Sequence, residues 1–193
     1  MEETSILHRA ARIGTFLVLL VAILIASAFR TTATKAKPGE PDIPRGLQLS
    51  NAAASIDELV GRFLRAVESG DEHAVEVLRV TEDEYRQIIL PGSVEPGEPP
   101  QKFRDQESEY FWGVMNGKSL YSRANMMHGY GGKKFQLKKI GFKKGTRKWA
   151  GYIAYEKLVL TLETEDGQEV LLPTGSIAEV GGRYKFVSFI PAG

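Results

Sequence analysis

Hydrophobic positions along the chain recur with two periods, three to four residues in the first half of the folded region and two residues in the second. From Ile56 to Val67, apolar residues return every third or fourth position, which is typical of a helix with one core-facing side. Ser55 and Glu58 open this run with the spacing of a capping box, in which each side chain accepts a backbone N–H of the first turn. The pattern predicts an amphipathic helix.

Two shorter helices are predicted next. Asp71 is placed to cap the first of them. Thr81 and Glu84 form a second capping box, and Pro91 is expected to end the helix that follows it. The segment 91–100, rich in Pro, Gly and Glu, is predicted to be an exposed loop.

A longer helical segment is predicted from about Arg104 to His128. Its apolar positions are Phe103, Tyr110, Phe111, Val114, Met115, Leu120, Ala124 and Met127. Asn116-Gly117 interrupts the pattern and is expected to break the helix into two. The segment 129–132, with three glycines, ends the helical half.

After residue 134 the period falls to two, which is typical of strands. The parity of the apolar residues changes between Leu137 and Ile140, so a β-bulge is predicted at Lys138-Lys139. Gly145-Thr146 is predicted to be a turn, and a long strand is expected from Tyr152 to Thr164.

Short turns connect the remaining strands. Asp166-Gly167 is a strong hairpin signal, Gly181-Gly182 a second tight turn, and Pro173 with Gly175 marks a bend. Connections this short require antiparallel pairing. The predicted fold class is α+β: helices packed in a curved antiparallel sheet of about four strands, which leaves a cone-like space between the layers.

An uninterrupted apolar segment precedes this domain. Residues 13–29 carry no charge, and as a helix they would span about 25 Å, the short end of what crosses a bilayer. Two interpretations stay open: an uncleaved membrane anchor, or a signal peptide cleaved after the small residues Ala26-Ser27-Ala28. The predicted organisation is a tail (1–12), the anchor or signal segment (13–29), a Pro-rich flexible linker (30–50) and the domain (51–193).

This organisation predicts a cellular location. A short tail followed by an anchor favours a single-pass membrane protein with its C-terminal domain outside the cytoplasm. Cleavage near Ala28 would instead release a periplasmic or secreted protein. The chain contains no cysteine, which excludes disulfides, thiolate catalysis and zinc–thiolate sites.

Three segments carry a family resemblance: SIDELVGRFLRAVESGDEHAVEVL, EYFWGVM and GRYKFVSFIP. They resemble the nuclear transport factor 2-like superfamily, also known as SnoaL-like, with a cystatin-like fold. The resemblance covers about Ser55 to Pro191 and implies an α+β cone. The Pro-rich loop stands where that superfamily has an early hairpin. Its members include isomerases, dehydratases, hydrolases and non-catalytic modules, so the fold alone does not give the function.

No catalytic set emerges from the sequence, and no metal or cofactor is expected. Glu156 shares the parity of Leu158 and Leu160, and an inward carboxylate there would have a raised pKa and could act as a base. His128 ends the helical half beside Tyr130. An exposed strand end and a surface histidine are the alternative interpretations of these two residues.

Two further groups of residues are candidates for binding. Large aromatic and sulfur side chains could line a pocket between sheet and helices: Tyr110, Trp112, Met115, Trp149 and Tyr155. The chain has a net charge of +1, yet eight basic residues lie within residues 133–148: Lys133, Lys134, Lys138, Lys139, Lys143, Lys144, Arg147 and Lys148. Lysines protect an edge strand from pairing, and they also attract anionic lipids, envelope polymers or acidic partners.

Two functions of different class follow. The first is a membrane-tethered, non-catalytic module that binds an envelope protein or a small ligand. Its layout is similar to that of the bitopic inner-membrane assembly factor of type IV secretion systems. The second is a small cone-pocket enzyme acting on an apolar substrate. Nucleic acid is not an expected partner, and a homodimer formed through the sheet is a further possibility.

Overall fold

A computed structural model describes residues 48–191, which belong to one unit of the chain, Pro41–Gly193. The predicted tail, the apolar segment 13–29 and nearly all of the linker lie outside the described residues. The helices are α1 (Ile56–Glu68), α2 (Glu72–Val77), α3 (Glu82–Glu84), a π-helix (Tyr85–Ile89), α4 (Leu90–Gly92) and α5 (Asp105–Tyr130). None of these helices of residues 48–191 combines the length and apolar composition needed to cross a membrane.

The second half of the domain is an open, antiparallel sheet of five strands. They are β1 (Phe135–Lys148), β2 (Ile153–Thr164), β3 (Glu169–Pro173), β4 (Ser176–Val180) and β5 (Arg183–Ser188). The strand order is β1-β2-β4-β5, and β3 pairs with the far end of β2. The α+β class is confirmed. The sheet has five strands instead of about four because the predicted bend splits one strand into β3 and β4.

The bend depends on a glycine. A Cβ placed on Gly175 would lie 1.6 Å from the carbonyl oxygen of Ser188, so a side chain at this position cannot fit without moving the backbone. Gly175 therefore lets the chain pass β5 closely while it shifts from one part of β2 to another.

The predicted helix starts are confirmed by hydrogen bonds. Ser55 Oγ accepts from the Glu58 N–H at 3.1 Å, and the Glu58 carboxylate accepts from the Ala54 N–H at 2.7 Å, one residue before the expected donor. Asp71 caps α2. The capping box at Thr81 is complete in both directions.

Helix α5 is continuous, so the predicted break at Asn116-Gly117 is wrong. The Asn116 side chain accepts a hydrogen bond from Arg79 at 2.6 Å, which fixes this turn to the rest of the domain. A glycine inside a helix costs only about 1 kcal/mol relative to alanine, so this contact and its neighbours are enough to keep the helix intact.

Strand β1 is also longer than predicted. The bulge at Lys138-Lys139 is confirmed, because the pairing register shifts between Leu137 and Lys139. The turn at Gly145-Thr146 is wrong, since Gly145 pairs with Glu156 and β1 continues to Lys148. A second register shift, between Phe142 and Gly145, occupies the place of the turn, and Gly145 adopts a φ of +72° there.

The sheet packs on both faces where β2, β4 and β5 meet. Tyr155 packs against a cluster that contains Phe63 of α1, whereas its neighbour Ala154 belongs to a second cluster with Ile88 and Ile89 of the π-helix. Successive residues of a strand point to opposite faces. The first cluster is the main core between α1 and the sheet, and the second covers the other face, which sequence reasoning did not expect.

Candidate functional site

Helix α5 has two contrasting sides along its 26 residues. The side turned toward the domain mixes polar and apolar residues, and its buried or half-buried members include Ser108, Trp112, Met115, Asn116, Ser119, Ser122, Arg123, Met126, Met127 and Tyr130. The opposite side is exposed and carries what we term the outer stripe: Tyr110, Gly113, Val114, Gly117, Leu120, Tyr121 and Ala124. Residues at this three-and-four spacing lie on one helix face.

The outer stripe combines large and small residues. Tyr110 and Tyr121 are 68% and 71% exposed, and Val114 and Leu120 are 41% and 37% exposed. Gly113 and Gly117 lie between them, and a Cβ at either glycine would meet nothing within 4 Å. Exposed apolar patches of this kind mark interaction surfaces on folded domains.

Polar contacts fix the inner side of α5. Ser119 Oγ, fully buried, accepts the Phe189 N–H at 2.9 Å beyond the end of β5. Arg86 donates to Ser108 Oγ at 3.1 Å near the start of the helix. Specific hydrogen bonds therefore hold the helix in place, together with the packing of Met126 and Met127 in the main core.

Arg79 is the centre of a charged network beneath α5. It is 4% exposed, and its guanidinium lies 5.0 Å from the centroid of the Trp112 ring while it donates to Asn116. It also pairs with Glu76, whose second oxygen accepts from Arg123 at 2.7 Å. These buried charges are therefore matched by partners of opposite sign.

A groove of about 290 Å³ opens beside this network. Its rim includes His73, Glu82 and Trp112, and Lys185 of β5 lines it as well. The Lys185 side chain is 1% exposed, and its Nζ lies 2.8 Å from Oε2 of Glu84. The groove therefore meets a buried ion pair that joins β5 to α3.

The Glu84 carboxylate has four hydrogen-bond donors. Oε1 accepts from the Ser50 N–H at 2.5 Å and the Ser50 Oγ at 2.8 Å, and Oε2 accepts from the Thr81 N–H at 2.8 Å as well as from Lys185. Burial alone would raise the pKa of Glu84, but the bonds from Lys185, Thr81 and Ser50 outweigh it, and the pKa lies below its usual value. The ionised Glu84 carboxylate, bonded to four donors, has a structural role. We term this ion pair with Lys185, together with the bonds from Ser50 and Thr81, the clasp.

The three predicted pocket residues on α5 occupy different surroundings. Trp112 lines the groove and packs against Tyr85, with ring centroids 5.5 Å apart. The sulfur of Met115 lies 3.9 Å from the Arg79 guanidinium. Tyr110 is on the outer stripe and lines a separate surface groove of about 430 Å³.

The two remaining aromatic candidates lie elsewhere on the domain. Trp149 is half-buried and the Arg147 guanidinium stacks on its ring at 3.7 Å. Tyr155 donates its hydroxyl proton to Glu179 at 2.6 Å. Burial and this bond to a carboxylate raise the pKa of Tyr155. The five predicted pocket residues are therefore not brought together around one space.

Neither of the two catalytic candidates lies in the main core. His128 is exposed. Glu156 does not share the face of Leu158 as expected, because Lys157 adopts a φ of +61° and the register slips at this point of β2. Tyr155 and Leu158, three residues apart, consequently both pack on the main core, and Glu156, half-buried, falls on the side of Ala154.

The basic residues follow the edge strand β1 and the two positions before it. Lys133 donates to the Gly129 carbonyl at 2.6 Å, and Lys138 pairs with Glu163 at 3.1 Å. Four lysines of this run are exposed and their side chains form neither a hydrogen bond nor an ion pair with another described residue: Lys134, Lys139, Lys143 and Lys144. They form a row of positive charge along the free edge of the sheet.

The rest of this basic run is engaged in contacts. Arg147 pairs with Glu95 of the Pro-rich loop at 2.7 Å in addition to stacking on Trp149. Lys148 ends β1 and is exposed. Within residues 48–191 no cluster of three or more His, Asp or Glu side chains is placed to hold a metal ion.

Sequence reasoning missed the outer stripe because it divided α5 at the wrong place. A break at Asn116-Gly117 places Tyr110 and Tyr121 on separate helices and so hides their common face. The signal that could have revealed it is the pair Gly113 and Gly117, one helical turn apart within an apolar run.

Comparison with known proteins finds no matching family model, no matching curated protein and no matching solved structure. The resemblance to the nuclear transport factor 2-like superfamily therefore remains a prediction.

Proposed function

We propose that the chain is a membrane-tethered, extracytoplasmic binding module whose folded domain acts through the outer stripe of α5. The single observation that carries this proposal is the exposed face of α5, on which apolar and small residues recur at helical spacing from Tyr110 to Ala124. The apolar segment 13–29 supports the tether, and the Pro-rich linker supplies reach.

The apolar residues on the exposed face of α5 cost free energy unless a partner covers them. Complete burial of a large apolar side chain contributes about 1.5–3 kcal/mol, and a side chain that stays partly exposed forgoes the corresponding part of it. Tyr110, Val114, Leu120 and Tyr121 all lie on one uninterrupted face. A partner that buries this face would recover that free energy, which is the expected behaviour of a binding module.

The enzyme alternative draws no support from the placement of its candidates. It requires Glu156 or His128 inside a closed, aromatic-lined cavity. His128 is exposed and Glu156 lies away from the main core, while Trp149 and Tyr155 face different neighbours. The binding module is therefore the function we favour.

Extraction from native membranes tests this proposal. In a mild detergent extract, the wild-type chain of 21.3 kDa should migrate in an assembly larger than one chain. Tyr121→Lys should shift it to the size of the monomer, because a charge on the stripe prevents burial. Leu171→Lys is the matched control, since the Leu171 side chain is 58% exposed on β3 and is not part of the outer stripe, and it should leave the assembly intact. Monomeric migration of the wild type would contradict the proposal.

A further inference from the structure

We infer that the partner of the outer stripe is the outer stripe of a second copy of this chain, packed antiparallel about a two-fold axis at Gly117. This inference rests on the proposed function and names the partner of the same surface. A two-fold interface uses one patch twice, so the patch must be complementary to itself.

The sizes of the stripe residues satisfy this condition. With the axis at Gly117, each residue meets the one equally far on the other side of the axis. The opposed pairs are Tyr110 with Ala124, Tyr121 with Gly113, Val114 with Leu120, and Gly117 with itself. Every tyrosine thus meets a small residue, and the middle-sized residues meet each other. Small residues where helices cross allow close approach of the two backbones.

A parallel pairing lacks this fit. In register, it would place Tyr110 against Tyr110 and Gly113 against Gly113, so that large residues collide where small ones leave gaps. The face is also open, since a Cβ at Gly113 or Gly117 meets no atom of its own domain. The antiparallel arrangement is the one that fills the gaps.

Charges at the ends of α5 favour the same arrangement. The first turns of the helix carry Asp105 and Glu107, which pair with Arg86 and Arg104, and the exposed Glu109, whereas the exposed Lys133 and Lys134 follow the other end. Antiparallel pairing brings the acidic start of one helix beside the basic end of the other. It also opposes the helix dipoles, which is the favourable arrangement.

The exposed area of the outer stripe is small for a dimer interface, but it is sufficient when both copies are tethered to the same membrane. The exposed parts of the four large stripe residues amount to roughly 400 Å² on each copy, taking about 150–250 Å² for a whole large side chain. The total of about 800 Å² is below a standard interface of about 1,600 Å². Confining both copies to one membrane raises their effective concentration, which allows a small interface to hold.

Single cysteines test the geometry, because the natural chain has none. One variant each is made at positions 110, 114, 117, 120 and 124 of the full-length chain, in native membranes, and treated with a short bismaleimide. For a two-fold axis at Gly117, the two copies of position 117 are adjacent, while those of 110 and 124 are about 21 Å apart along the axis at 1.5 Å per residue. Self-crosslinking should therefore peak at 117 and fall equally in both directions, and Glu98→Cys on the exposed loop should not crosslink.

The alternative profiles each overturn the inference in a distinct way. Equal self-crosslinking along the stripe would indicate a parallel pair. Adducts of another mass from stripe positions only, without self-crosslinks, would show a different protein on the stripe, which refutes the second copy and keeps the proposed function. No adduct from any stripe position would refute both.

A pair of glycine substitutions provides a second readout. Gly117→Leu should abolish the dimer, with at least a tenfold rise in its dissociation constant, because a side chain on the axis separates the helices. Gly129→Leu is the matched control: it lies on α5 away from the stripe and a Cβ there meets nothing within 4 Å. Equal dimer formation by both variants would overturn the inference.

Discussion

Lys185 Nζ lies 2.8 Å from Oε2 of Glu84, and this ion pair joins residues 101 positions apart in the sequence. Both side chains are buried, and the Glu84 carboxylate also binds Ser50 at the start of the described chain. The pair thus ties the first residues of the domain, α3 and the last strand into one unit.

Replacing the buried lysine should destabilise the domain strongly. Lys185→Met leaves the Glu84 carboxylate buried without its ammonium partner, and breaking one side of a buried pair costs about 3–5 kcal/mol. Chemical denaturation followed by tryptophan fluorescence measures the change in unfolding free energy. Lys139→Met, on the exposed edge of β1, should change it by less than about 0.5 kcal/mol. Similar small effects from both variants would show that the clasp contributes little.

The clasp should also weaken in acid. The pKa of Glu84 is lower in the folded domain than its usual value of 4.5, so its stabilising effect is complete above that pH and is lost as the pH falls through the folded-state pKa. The difference in unfolding free energy between wild type and Glu84→Gln should therefore be largest near pH 7 and should shrink below about pH 4.5. A difference independent of pH would mean that Glu84 is not ionised in the fold.

Two glycine-to-alanine substitutions should have opposite signs. Gly61→Ala, in the middle of α1, should stabilise the domain by about 0.5–1 kcal/mol, because the new Cβ meets nothing closer than 3.5 Å and alanine favours the helix. Gly175→Ala should destabilise it by about 3 kcal/mol or more, because its Cβ would overlap the Ser188 carbonyl. Thermal unfolding of both variants checks this, and a stable Gly175→Ala protein would contradict the account of the bend.

Removing the lysines of β1 should expose the edge of the sheet. Lys139, Lys143 and Lys144 are exposed and form no ion pair with another described residue, and such charges oppose pairing with a neighbouring sheet. Changing all three to threonine should increase aggregation at neutral pH, as light scattering would record. Lys118→Thr, on helix α5, is the single-charge control. An unchanged triple variant would leave attraction to an anionic partner as the remaining explanation of the basic row.

The sequence predicts correctly those parts of the fold that depend on residues close together in the sequence. The caps at Ser55, Asp71 and Thr81 and the hairpin at Asp166-Gly167 depend on contacts within a few positions. Such local signals do not require knowledge of the remaining chain. The α+β class followed from them directly.

The wrong predictions concern positions whose conformation is determined by residues far away in the sequence. Asn116 stays helical because Arg79, 37 positions away, donates to it. Glu156 changes sides because Lys157 adopts a left-handed φ, which nothing in its own side chain indicates. The exposure of the outer stripe also depends on a residue far away in the sequence. Ser119, on the other side of α5, bonds to Phe189 and so fixes which side of the helix faces solvent.

Site-specific photocrosslinking at Tyr121 in living cells tests whether the domain binds its partner through the outer stripe. A photoreactive residue at this position, which is 71% exposed on the outer stripe, should give a defined adduct, whereas the same residue at Leu171, 58% exposed on β3, should give none. An adduct at Tyr121 alone would show that the domain acts through the face of α5. Free, uncrosslinked chain at both positions, or an adduct at Leu171 only, would contradict it.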